Sequence, residues 1–281
     1  MVNTTVIVDS NGRKCGRKNF VEIDIYSVND FHGHLRAEAA DPGIAVLSGV
    51  INELMKQNPV GSLLLGGGDM FSGTIDANEY QGLPVVTAMN KMGFSANTAG
   101  NHIFDYPLDV IKRQAAAANF PILGANIVEA AGDRVAEPFK PYVMLQRNGL
   151  TIGILGLTTV ETKEKASQFN LQKVKILPPE QIAQVYVDEL RRQGAQIIVL
   201  LTHIGSSQGE KTWYYRGDST DFAKNSWSRC RCHRTFTFVC QRDIWRYSGN
   251  PGRMLWGGSW QNQFVIFHGS SEGCFCKFAY L

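Results

Sequence analysis

The chain has 281 residues, 44% of them hydrophobic and 19% charged, with a net charge of +3. A balance that mild gives no footing for a nucleic-acid or anionic-membrane partner. No apolar run reaches the ~18 residues of a transmembrane helix.

The stretch from Met1 to Phe20 is polar and has no apolar h-region, so it reads as an extension rather than a secretory signal; either the location is cytoplasmic or the start is not the natural one. Ile23–Val28 alternates and reads as a strand. Ile44, Leu47, Val50, Ile51 and Leu54 recur at helical spacing. Ser62–Leu65 is a buried strand that runs into Gly66-Gly67-Gly68. Leu83–Met92 is helical, and Pro107–Ala118 is a helix with proline in its first turn. Pro121–Ala125 is a strand. Tyr142–Gln146 and Thr151–Leu157 flank Asn148-Gly149, a hairpin signal. Pro179–Arg192 is a helix closed by Gly194, and Ile197–Leu201 has the continuous apolar character of a buried strand. Strands alternating with helices predict an α/β fold with largely parallel sheets.

Composition breaks near Lys224. Five of the six cysteines (Cys230, Cys232, Cys240, Cys274, Cys276) and four of the five tryptophans (Trp227, Trp245, Trp256, Trp260) follow it. The chain divides accordingly into residues 1–20, an α/β domain over 21–224 and an atypical tail over 225–281.

Four polar elements follow predicted strands, where open α/β sheets place their sites. Asp30 and His32 are two apart at a strand end; a carboxylate with an imidazole suits zinc, manganese or iron. Gly68 lets the backbone turn sharply and leaves Asp69 at the sheet edge, where one carboxylate can bridge two cations. In Asn101-His102-Ile103-Phe104-Asp105, an amide carbonyl can ligate a metal, an imidazole can act as general acid, and a carboxylate three residues on can hold that ring. His203 ends an apolar strand. Each element alone is more economically a capped turn or a structural histidine. Their order is what carries information.

The strings N-D-F-H-G-H, G-G-D-x-F-S-G and G-N-H-x-F-D-Y-P, followed by a strand-terminal histidine, resemble the 5′-nucleotidase branch of the calcineurin-like metallophosphoesterases, with its UDP-sugar hydrolases and 2′,3′-cyclic phosphodiesterases. The resemblance runs from about Glu22 to Lys224. It implies a four-layer αββα sandwich, two divalent metal ions (zinc, manganese or similar) and a nucleotide or phosphoester substrate. By motif match, Asp30 and His32 would hold one metal, Asn101 and His203 the other, and Asp69 would bridge them. His102, oriented by Asp105, would stabilise the attacked phosphoryl oxygen or protonate the leaving group. The resemblance also implies a family that often works outside the cytoplasm.

Two departures stand out. Ile103 occupies a position where the family usually has glutamate. More seriously, the Gly-His-x-His motif that completes the family's metal site is missing, and Ser226–Phe238 stands where it is expected. The tail reads as frameshifted sequence. Moving the frame one base turns a threonine codon before phenylalanine into CNT, which includes the histidine codon, at both Thr235 and Thr237. Arg234 then admits glycine and Phe236 admits serine, giving Gly-His-Ser-His. On this reading metal binding and activity are impaired, the sandwich is incomplete on its C-terminal side, and the edge near Ile197–Leu201 lies bare. Two alternatives are a remnant without catalytic function and a zinc module built on Cys230, Cys232, His233 and Cys240. The last has no usual zinc-site spacing.

Overall fold

The computed structural model describes residues 2–8, 21–38 and 41–204, together with the backbone of five later strands at 235–239, 245–247, 254–256, 265–267 and 276–280. In chain order the elements begin with β1 (Val2–Val8), β2 (Val21–Val28), α1 (Gly43–Met55), β3 (Ser62–Gly66), α2 (Ile75–Glu79), α3 (Leu83–Met92) and β4 (Ala96–Thr98). A 3-10 turn at Asn101–Asp105 precedes α4 (Leu108–Ala117), β5 (Ile122–Leu123) and β6 (Ile127–Glu129). Then come β7 (Tyr142–Arg147), β8 (Leu150–Thr158), α5 (Thr162–Lys165), α6 (Gln168–Leu171), β9 (Val174–Ile176), α7 (Pro179–Arg192) and β10 (Ile197–His203). The later strands are β11 (Thr235–Val239), β12 (Trp245–Tyr247), β13 (Met254–Trp256), β14 (Val265–Phe267) and β15 (Cys276–Tyr280).

Two sheets dominate. One has the order β15-β1-β2-β3-β4-β5 and the other β14-β11-β10-β8-β7. Strand residues alternate between faces, and the alternation sorts the apolar residues into three layers of contact. Ile23, Ile25, Leu63 and Leu65 of the first sheet meet Ile152, Ile154, Ile197, Val199 and Leu201 of the second. The opposite face of the first sheet, with Tyr26 and Leu64, packs on Ile51 of α1, Val86 and Met89 of α3 and Ile111 of α4. The outer face of the second, with Leu155, Leu157, Ile198 and Leu200, packs on Ala183, Val187 and Leu190 of α7. Helices, sheet, sheet and helix make the four-layer αββα sandwich expected from the resemblance.

Most boundaries predicted from periodicity fall within two residues of those observed. The Asn148-Gly149 hairpin forms, with both residues at positive φ (50° and 78°), as a type I′ connection requires. Three expectations need correction. Pro107 is not in the first turn of α4; its ψ of 158° makes it the extended residue before the helix. The strand predicted over Pro121–Ala125 is only two residues long. The edge of β10 is not bare, because β11 pairs with it in parallel, Ile197 opposite Thr235 through Leu201 opposite Val239. The polar start of the chain also contributes a strand, since β1 runs antiparallel between β2 and β15.

Candidate metal centre

Three parallel strands of the first sheet, β2, β3 and β4, end side by side, and each hands its chain to a polar loop. β10 of the second sheet ends above them with His203 as its last residue. The loops are laced together by main-chain bonds. Gly67 N donates to Val28 O (2.8 Å), Asp30 N to Gly68 O (3.0 Å) and His32 N to Asp69 O (3.0 Å). The lacing holds Asp30, His32 and Asp69 at positive φ (50°, 47° and 52°), a conformation that disfavours side chains other than glycine. Strained backbone at three of the expected ligand residues is what a site that over-determines its geometry looks like.

Asp30, Asp69 and His203 come together, each offering a ligand atom within 4.8 Å of the others. The side chain of His203 is 1% exposed and that of Asp69 is 3% exposed. Gly68 is required here: its φ is +99°, and a Cβ on it would lie 2.3 Å from His203 Nδ1. Gly100 is required in the same way, since its Cβ would lie 2.0 Å from Asp69 Oδ1. The Asn101–Asp105 turn therefore closes over the Asp69 carboxylate, and His102 N donates to Asp69 Oδ1 at 2.9 Å. Asn101, which is buried, sits between those two contacts in sequence.

All three site histidines have Nδ1 committed. His203 Nδ1 donates to Gly67 O (2.8 Å), His32 Nδ1 to Ser72 O (3.3 Å) and His102 Nδ1 to Asp105 Oδ2 (3.0 Å). A carbonyl or an ionised carboxylate only accepts, so the proton belongs on Nδ1 and the lone pair on Nε2. Among the described residues the buried His203 Nε2 makes no hydrogen bond, although Asp69 Oδ2 is 3.0 Å away. A buried nitrogen lone pair facing a carboxylate is the donor arrangement a divalent cation fits. His32 Nε2 is turned towards Asp30 Oδ1 at 3.7 Å, and its ring meets that of His102 edge-on, centroids 5.2 Å apart.

The electrostatics follow the contacts. Burial pushes Asp30 up, but its hydrogen bonds to His32 and Asn29 and the field of His203 outweigh it, and the carboxyl lies below its ordinary value. Asp69 is likewise raised by burial and lowered further by His203 and by the His102 backbone N–H. His32 is raised, first by its contact with Asp30 and against the opposing effect of burial.

Two supporting residues escaped the sequence reading. Asn29 Nδ2 donates to Asp30 Oδ2 (3.2 Å), and Ser72 Oγ donates to Asp105 Oδ2 (2.8 Å). Both lie inside the quoted strings N-D-F-H-G-H and G-G-D-x-F-S-G, which was the only available signal. Ile103 is 4% exposed and packs in the helix-side core. Cys230, Cys232, His233 and Cys240, and the Arg234 at which the shifted-frame Gly-His-Ser-His would begin, lie outside the described residues.

No family model matches the chain. It is 33% identical over 190 residues to UshA of Salmonella pullorum, covering 66% of this chain and 34% of that protein. It is also 33% identical over 190 residues to a 5′-nucleotidase of Vibrio parahaemolyticus, covering 66% and 33%. The chain thus spans about a third of the length of the curated relatives it matches. Among solved structures, the calcineurin-like phosphoesterase YfkN of Bacillus subtilis superposes with a TM-score of 0.59 at 24% identity, over 74% of this chain and 65% of that one, which speaks for the fold. With the ordered loops and the four layers in place, the chain belongs, over the part of those proteins that it spans, to the 5′-nucleotidase family of calcineurin-like metallophosphoesterases.

Proposed function

We propose that residues 21–224 form a divalent-metal-dependent phosphoesterase domain of the 5′-nucleotidase or 2′,3′-cyclic phosphodiesterase type. The observation that carries this reading is the gathering of Asp30 and Asp69 with a buried His203 Nε2 that has no hydrogen-bond partner among the described residues. Asp30 and His32 would hold one ion, Asn101 and His203 a second, with Asp69 between them. Such ions, when bound, activate water and neutralise charge on phosphoryl oxygens.

The chain's own groups account for the rest. Gly67 O and Ser72 O fix the His203 and His32 rings with Nε2 free to ligate. Asp105 holds His102 by Nδ1 and leaves Nε2 as the ring nitrogen available to a substrate. When it carries a proton at Nε2, His102 would stabilise an attacked phosphoryl oxygen or pass that proton to the leaving alcohol. Nucleotides are the proposed substrate class because the relatives include proteins named 5′-nucleotidase.

A second reading, a domain with impaired or lost turnover, is favoured by the absence of any Gly-His-x-His string after His203. Metal analysis with hydrolysis of bis(4-nitrophenyl) phosphate and of AMP separates the two. Bound metal with turnover that Asp69→Asn abolishes supports the phosphoesterase. Bound metal without turnover supports the impaired form. Absence of metal binding overturns the site.

A further inference from the structure

We infer that Ser72 is a positioning residue that links the metal-binding and proton-handling halves of this site, an inference that rests on the proposed function. Ser72 is 5% exposed and lies in the segment that leads from Asp69 towards α2. Its carbonyl accepts from His32 Nδ1 at 3.3 Å. Its hydroxyl donates to Asp105 Oδ2 at 2.8 Å, the same oxygen that receives His102 Nδ1 at 3.0 Å, and lies 3.4 Å from His102 O. One residue thus fixes the tautomer of His32 through its main chain and the carboxylate behind His102 through its side chain.

The segment has no freedom to place that hydroxyl elsewhere. Gly33 N bonds Met70 O (3.1 Å) on one side. On the other, a Cβ on Gly73, whose φ is +141°, would lie 2.4 Å from His32 O. The Asp105 carboxylate is about 40% exposed, so without Ser72 water competes for it and it can rotate away from His102. The serine therefore acts through Asp105 on the His102 ring: it preorganises the ring and touches no reacting atom.

The main-chain and side-chain roles separate experimentally. Ser72→Ala removes only the hydroxyl, and Ser72→Thr restores one. Ring-nitrogen spectra of 15N-histidine-labelled, metal-free protein at about pH 8.5, where ordinary imidazoles are neutral, report the tautomer of each ring. In Ser72→Ala, His102 should become a mixture of tautomers while His32 keeps its proton on Nδ1, and Ser72→Thr should return the native His102 signal. With a divalent metal and bis(4-nitrophenyl) phosphate, kcat of Ser72→Ala should fall by about tenfold or more with KM little changed. An unchanged His102 spectrum, or equal disturbance of both rings, overturns the positioning role. A wild-type chain without turnover counts against the proposed function and leaves the spectra to decide the serine.

Discussion

His203 Nε2 stands 3.0 Å from Asp69 Oδ2, both side chains almost fully buried, with no hydrogen bond made by that nitrogen among the described residues. Gly67 O keeps the ring proton on Nδ1, so a neutral His203 points a lone pair at a carboxylate. Two acceptors at that separation repel unless a proton or a cation lies between them. A proton on Nε2 relieves that repulsion in the metal-free protein, and a divalent cation in its place would relieve it in the loaded one.

A divalent cation should therefore stabilise the fold. At a hundred times its dissociation constant, a ligand specific to the native state contributes about 2.7 kcal/mol. For a chain of this size that is a rise of roughly 5–10 °C in Tm. Differential scanning fluorimetry with zinc or manganese should show the rise in the wild type and little or none in His203→Ala or Asp69→Asn. An equal rise in all three would place the metal elsewhere.

How much of this was legible in the sequence depends on whether a residue acts alone or through its neighbours. Strands such as Ile197–Leu201 were readable because burial on both faces writes a continuous apolar run. β4, three residues reading Ala-Asn-Thr, was not, because its pairing with β3 and β5 and not its composition makes it a strand. Likewise Asp30 and His32 were visible as a motif, whereas the positive φ at both arises from bonds to Gly68 and Asp69, some forty residues away. Ser72 carried a letter in the motif but no spacing that would announce its bond to Asp105. β1 escaped because its partners are β2 and the distant β15.

The pH dependence of the metal-free protein should have two limbs. Asp30 and Asp69 are lowered from 3.8 on folding, so their contribution is full above that value and lost as the pH falls through their folded values. His32 is raised from 6.5, so its contribution is full below that value and lost as the pH rises through its folded value. Urea midpoints measured with chelator present should be highest between the two windows. His32→Asn should remove the alkaline limb and, because that ring helps to lower Asp30, also weaken the acid limb, whereas Asp69→Asn should act mainly on the acid limb. An alkaline limb unchanged by His32→Asn would be the contrary result.

Glycines offer a paired test of packing. Gly68→Ala forces a side chain into φ +99° with its Cβ 2.3 Å from the His203 ring, so it should cost about 2 kcal/mol or more. Gly49→Ala, exposed within α1 with nothing within 4 Å of the new Cβ, should stabilise by about 1 kcal/mol through helix propensity. Urea denaturation should give opposite signs for the two. Of the two, Gly68→Ala alone should also impair metal binding, because Gly68 lies against the proposed ligand His203 and Gly49 lies against nothing.

The tail can be tested by replacing it. Residues after Lys224 stand where the family's Gly-His-x-His string is expected, and a one-base shift at Arg234–Thr237 admits Gly-His-Ser-His. A chain carrying the shifted-frame tail would offer two further imidazoles to the proposed centre of Asp30, His32, Asp69, Asn101 and His203. Added donors raise affinity most where a site is short of ligands. Metal content should therefore rise from about one equivalent to about two, and phosphodiester turnover should rise with it. Asp69→Asn in the restored chain should remove both gains, since its carboxylate faces His203 and is the proposed bridge. Unchanged metal content in the restored chain would show that the present tail already supplies what the site needs. A coding sequence lacking the shifted histidine codons would refute the frameshift directly.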